Sequence, residues 1–95
     1  MAKVILQGTV NIPKEDLDKV IDALPQHIAN TKSEKGCIVF NVGQDKNNKY
    51  ILQVYEEFID EIAFRLHQKR VADSEWGALT ARCTRHYTID GLTGS

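Results

Sequence analysis

The stretch from Gly36 to His67 leaves this chain few ways to fold. Cys37 to Val42 is β-branched and aromatic, which predicts a strand. Residues 44–49 are polar and carry an Asn-Asn pair, the chemistry of a hairpin connection. Tyr50 to Phe58 reads as the return strand, and Asp60 stands where a helix needs a side-chain oxygen to cap its first amides. In that helix Ile59, Ile62, Ala63 and Leu66 form an apolar arc, and His67 falls inside it.

The flanks fit around this unit. From Lys3 to Asn11, Val4, Leu6, Gly8 and Val10 alternate with Lys3, Ile5, Gln7 and Thr9, the period of two that marks a strand. Pro13 opens a helix, followed by Glu15 and Asp16 where the dipole favours negative charge. Leu17, Val20, Ile21, Leu24 and Ile28 mark one helical face. Pro25 lies inside that pattern, which predicts a kinked but continuing helix. Gly36 suits a left-handed cap after it. Asp73-Ser74-Glu75 starts a second short helical piece, and Arg82 to Ile89 alternates again before Asp90-Gly91.

The order is β-α-β-β-α-β, an α+β chain. A short central hairpin and right-handed crossovers make it ferredoxin-like, an antiparallel sheet in the order 4-1-3-2 with helices on one face. That order sets Cys37 and Cys83 on opposite edges, roughly 14 Å apart, too far for a disulfide. The other sheet face carries Ile5, Thr9 and further β-branched or aromatic residues, and a second sheet covers such a face most simply. The expectation is a homodimer packed sheet on sheet.

Ninety-five residues make one domain, read as residues 1–95. A net charge of −1 argues against a nucleic-acid or membrane-surface partner, and no apolar run is long enough to span a bilayer. The N-terminal run alternates and lacks the apolar core of a signal peptide, so a cytoplasmic protein is expected. Two cysteines and three histidines without ligand spacing call for no metal, and no phosphate-binding or dinucleotide-binding glycine motif implies a cofactor. The terminal Gly94-Ser95 pair has the character of a cloning remnant.

Glu34-Lys35-Gly36-Cys37 followed by Ile38-Val39-Phe40-Asn41-Val42 resembles the E-P-G-C-hydrophobic-x-[YF]-x-V signature of the antibiotic biosynthesis monooxygenase domain. Glu56-x-Phe58-x-Asp60 resembles its E-x-[WY]-x-[DS] strand end, and Ala63 to His67 its A-h-x-x-H helix. Lys35 departs from the pattern in place of proline, as do the Asn- and Lys-rich turn and the segment around Trp76-Gly77. The resemblance spans roughly residues 3 to 90. It implies a dimeric α+β barrel of ferredoxin-like protomers. The family includes cofactor-free oxygenases of quinols and polycyclic aromatics, haem-degrading enzymes and small isomerases. Gln7 stands where haem-degrading members carry asparagine, and no histidine lies near Trp76 in sequence, so haem ranks low.

Within that frame His67 is the candidate catalytic residue, a neutral imidazole taking a proton from a phenolic hydroxyl; the competing reading is a half-buried histidine bonded to a carbonyl. Gln7, Tyr55, Trp76 and Arg85 are the candidate substrate-binding residues. Trp76 and Tyr55 would stack an aromatic ring, whereas Phe40 reads as plain core. Of Arg82 and Arg85, one would enter the cavity, and Gln7 would meet either ligand or dimer partner. Glu56 would orient His67 or, more simply, form a salt bridge at the sheet edge. The partners expected are a small hydroxylated aromatic and dioxygen, with no cofactor. The alternative is a non-oxygenase of the same fold, an isomerase or a ligand-binding domain.

Overall fold

The structure is a computed structural model that describes residues 2–92; Gly94-Ser95 lie outside the described residues. Strand β1 (Val4–Asn11) leads through one turn of 3-10 helix (Lys14–Asp16) into α1 (Leu17–Lys32). Strands β2 (Cys37–Gln44) and β3 (Ile51–Phe58) form the hairpin, followed by α2 (Glu61–Ala72), α3 (Glu75–Leu79) and β4 (Thr84–Asp90). The sheet runs β2-β3-β1-β4, antiparallel throughout, which is the expected ferredoxin-like order. Both cysteines are free. Among the described residues no helix is long and apolar enough to cross a membrane.

Alternation along the strands divides the side chains between two faces. Val4, Leu6 and Val10 of β1, and Leu52, Val54 and Phe58 of β3, are buried under the helices with Val20, Leu24 and Phe64. The opposite face bears no helix. On it Gln7 pairs across β1–β3 with Tyr55 and across β1–β4 with Thr88.

The helices differ from expectation in three details. The segment after Pro13 first winds as 3-10 helix, then continues as one α-helix through Pro25. Gly36 does not adopt a left-handed conformation; Ser33 ends α1 in the right-handed region. What requires glycine at 36 is proximity, because a Cβ there would lie 2.2 Å from the Cβ of Ala63. The third detail is the phase of α2. Ile59, Ile62 and Leu66 are exposed, while Phe64 and His67 face the sheet. The Asp60 carboxylate accepts from the Ala63 amide at 2.8 Å and fixes where the helix begins. From that start Phe64, the bulkiest apolar side chain of the helix, reaches Phe58 in an edge-on contact at 5.8 Å. Burying its ring contributes about 2–3 kcal/mol. His67, one turn further on, is carried inward with it.

Candidate active site

A cavity of about 290 Å³ lies between the helices and the inner face of the sheet. Its sheet wall includes Phe40, Glu56, Arg85 and Tyr87, and its helical wall His27, His67 and Trp76. Phe40 pairs with Glu56 across β2–β3, and Arg85 and Tyr87 pair with Val10 and Gly8 across β4–β1, so register alone aims these side chains at one space.

His67 is 6% exposed and sits between two phenylalanines, 4.8 Å from the Phe58 ring and 5.9 Å from Phe40. Its Nδ1 lies 2.8 Å from Glu34 Oε1. A carboxylate only accepts, so Nδ1 carries the hydrogen and Nε2 keeps the lone pair. Arg70 fixes Glu34 in turn, donating from Nε to Glu34 Oε2 and from Nη2 to Thr31 Oγ1. Burial holds His67 below the ordinary imidazole value, partly offset by its bond to Glu34, so the ring is neutral at pH 7.

On its other side, Nε2 is 3.8 Å from Glu56 Oε1. That separation exceeds a hydrogen bond and leaves both atoms available to an oxygen presented from the cavity. Glu56 is 6% exposed, and burial, reinforced by the charge of Glu34, pushes its carboxyl up to about 7. It is therefore not the edge salt bridge expected from sequence. Position 56 points inward because its neighbours 54 and 58 do.

His27, on α1, completes the helical wall. Its ring stacks flat on Trp76, with centroids 4.4 Å apart and planes 4° from parallel, and meets Phe40 edge-on at 5.4 Å. Burial depresses it to about 4. Its Nδ1 is buried without a hydrogen-bond partner. Tyr87, pushed up to about 12 by burial, keeps its phenolic hydrogen across the neutral range.

The structure thus brings together three of the five residues read from sequence: His67, Trp76 and Arg85. Arg85 is the arginine on the cavity side, donating to Thr80 Oγ1 at 2.8 Å, whereas Arg82 pairs with the buried Asp16. Gln7 and Tyr55 lie elsewhere. They share the outer face, where Tyr55 donates its hydroxyl to Glu57, and the sheet separates them from His67. A strand of period two cannot send Tyr55 and Glu56 to the same side.

Four participants escaped the sequence reading of the site: His27, Glu34, Arg70 and Tyr87. His27 offered one signal, a histidine three residues after Leu24 on the apolar face of α1. Glu34 stood in the E-P-G-C-like stretch with nothing to tie it to His67, and Arg70 offered no signal, because their contact spans 36 positions.

Comparison with known proteins gives consistent results. The family model for antibiotic biosynthesis monooxygenase matches residues 3–77, from β1 into α3. No curated protein is significantly similar in sequence. Among solved structures, a conserved Bacteroides thetaiotaomicron protein of unknown function superposes with a TM-score of 0.80 at 14% identity, over 96% of this chain and 98% of its own. A Deinococcus radiodurans protein provisionally named as an antibiotic biosynthesis monooxygenase gives 0.78 at 18% identity, covering 97% and 94%. SnoaB, a cofactor-independent oxygenase from Streptomyces nogalater solved as its N63A variant, gives 0.75 at 11% identity, covering 100% and 97%. At these identities the likeness is one of fold.

Proposed function

We propose a function from one premise: this chain belongs to the antibiotic biosynthesis monooxygenase family. On that premise it is a cofactor-independent monooxygenase acting on a quinol or another hydroxylated aromatic. The observation that carries the reading is His67. It is buried among aromatic rings, its Nδ1–H is held by Glu34, and its Nε2 is turned toward Glu56 at the cavity.

The residues support a short sequence of steps. A phenolic hydroxyl enters beside Nε2 and gives up its proton to the imidazole, whose positive charge Glu34 stabilises. The resulting anion passes one electron to dioxygen, and the radical pair joins with a new C–O bond at a ring carbon that bears hydrogen. The imidazolium returns its proton to the peroxide. Loss of water across the C–H and O–O bonds leaves a carbonyl. One oxygen atom remains in the product, the other leaves as water, and the electrons come from the substrate. The protein supplies the base, the orientation and a space lined by Phe40, Phe64 and Trp76 that limits water.

The reading includes a homodimer through the helix-free sheet face, where Ile5, Val39 and Tyr55 are half-buried even in the single chain. Gln7 and Tyr55 then belong to that interface. A cytoplasmic location and a single domain over residues 1–95 complete the proposal.

A second reading rests on the same pair of groups. A carboxyl pushed to about 7 beside a neutral imidazole can also shuttle a proton between two carbons of a compact hydroxycarbonyl ligand, an isomerase activity. Oxygen uptake by the purified protein with a panel of quinols and anthrone-like phenols separates the two. Uptake that disappears in His67→Ala supports the oxygenase. No uptake across the panel overturns it in favour of the isomerase.

A further inference from the structure

Three polar side chains, each more than nine-tenths buried, meet at the cavity, and the contacts they make there leave hydrogen-bonding capacity unspent. Among the described residues the Glu56 side chain has no hydrogen bond and its Oε1 lies 3.8 Å from His67 Nε2; His67 has spent Nδ1 on Glu34 and retains Nε2. His27 has spent nothing: its Nδ1 is wholly sealed from solvent and has no partner, and among the described residues it is the one side-chain nitrogen or oxygen so sealed and unpaired. An orphan of this kind is destabilising unless something satisfies it. Packing does not explain why the cost is borne, because a phenylalanine would stack on Trp76 equally well.

The position of the ring is also well determined. Trp76 lies flat against one face and Phe40 meets it edge-on, so its hydrogen-bonding edge has little freedom. Its centroid is 6.5 Å from that of His67. The two imidazoles are too far apart to bond each other, yet close enough for one small ring system to touch both.

We propose that His27 is a substrate-positioning residue that hydrogen-bonds a second oxygen function on the ligand, at the end away from the His67–Glu56 pair. The inference rests on the aromatic reading of the cavity and deepens it: the preferred substrate carries two oxygen substituents, one deprotonated at His67 and one held at His27. Because the ring is neutral, one nitrogen donates and the other accepts, so either a hydroxyl or a carbonyl satisfies the site. A site built to bond an oxygen discriminates strongly against an analogue without it, since the protein group is then left unpaired.

Trp76 is the only tryptophan in the chain, so its fluorescence reports binding here without turnover. The test titrates 1,4-naphthohydroquinone and 1-naphthol, anaerobically, into wild type, His27→Phe and His27→Gln. Wild type is expected to prefer the dihydroxy compound by tenfold or more. His27→Phe should bring that ratio close to one while keeping 1-naphthol affinity, and His27→Gln should retain part of the preference. A thermal melt of each variant confirms folding. An unchanged ratio in His27→Phe, with wild-type quinol oxygen uptake intact, overturns the role of His27 and leaves the oxygenase reading standing. Failure of wild type to bind either compound overturns both.

Discussion

Glu56 and Glu57 are neighbours on β3 with opposite surroundings. Glu57 lies on the outer face, where Lys3 reaches it at 2.8 Å and the Tyr55 hydroxyl donates to it. Those hydrogen bonds hold its carboxyl below the usual range. Glu56 lies on the inner face among aromatic rings, where burial pushes its carboxyl up to about 7. The same side chain one position along is a fixed anion on one face and a proton-exchanging group on the other. The alternation of the strand, rather than residue type, separates chemistry from scaffold here.

The largest way to break this comparison is to remove the inner-face base. His67→Ala is expected to lower oxygen uptake with a quinol by at least a hundredfold, the usual scale for a positioned proton acceptor. Variants on the outer face should stay within about twofold. Full activity in His67→Ala would remove the distinction between the faces. The next effect concerns assembly. Val39 pairs with Glu57 on the outer face, so Val39→Lys places its ammonium beside that carboxylate and leaves the single chain folded. A lysine within a sheet-on-sheet interface is costly to desolvate. Sedimentation should therefore show a shift from dimer toward monomer, and an unchanged dimer would put the interface elsewhere.

A third prediction uses protons. The raised carboxyl of Glu56 makes the folded state bind an extra proton between about pH 4.5 and 7, so its contribution to stability falls as pH rises through that window. His27 is depressed from 6.5 to about 4, so the folded state binds fewer protons there and stability rises with pH over nearly the same range. Each effect is on the order of 3 kcal/mol across its window, and the two oppose each other. Wild type should show a shallow profile, with the depressed His67 adding to the rising slope. Glu56→Gln should steepen the rise from pH 4 to 6.5, and His27→Phe should reverse or flatten it. Urea unfolding at a series of pH values reads both. Parallel profiles in all three proteins would refute the assigned proton positions.

The framework of the molecule was legible because it rests on local signals: two periods of hydrophobicity, the Asp60 cap, the Asp73-Ser74-Glu75 helix start, and the hairpin. The site was legible in part: His67 and Trp76 stand out from their own elements, and Arg85 was one of two arginines between which only the register decides. Tyr55 misled because an aromatic on a strand says nothing about its face until register is known. The phase of α2 misled for a related reason. Ile59, Ile62 and Leu66 form the more regular arc, but the cap and the bulk of Phe64 decide which side turns inward. Glu34, Arg70 and His27 join the site through contacts between elements, which sequence spacing does not encode.

The smallest effect is the most direct comparison. Glu57→Gln removes the negative charge that Lys3 and Tyr55 bond, with almost no change of shape, and Glu56→Gln removes the ionisable carboxyl facing His67. Both substitutions delete one carboxylate from the same strand, so propensity and backbone are matched between them. In the single chain Lys3 is half exposed, and partly solvated pairs of this kind contribute little. Glu57→Gln should leave quinol turnover and its pH profile unchanged, with a melting temperature within a degree or two of wild type. Glu56→Gln should lower turnover and remove an ionisation near pH 7 from the profile. If instead Glu57→Gln moves that ionisation, the proton detected near neutrality belongs to the outer face. The division of labour across β3 would then have to be drawn the other way.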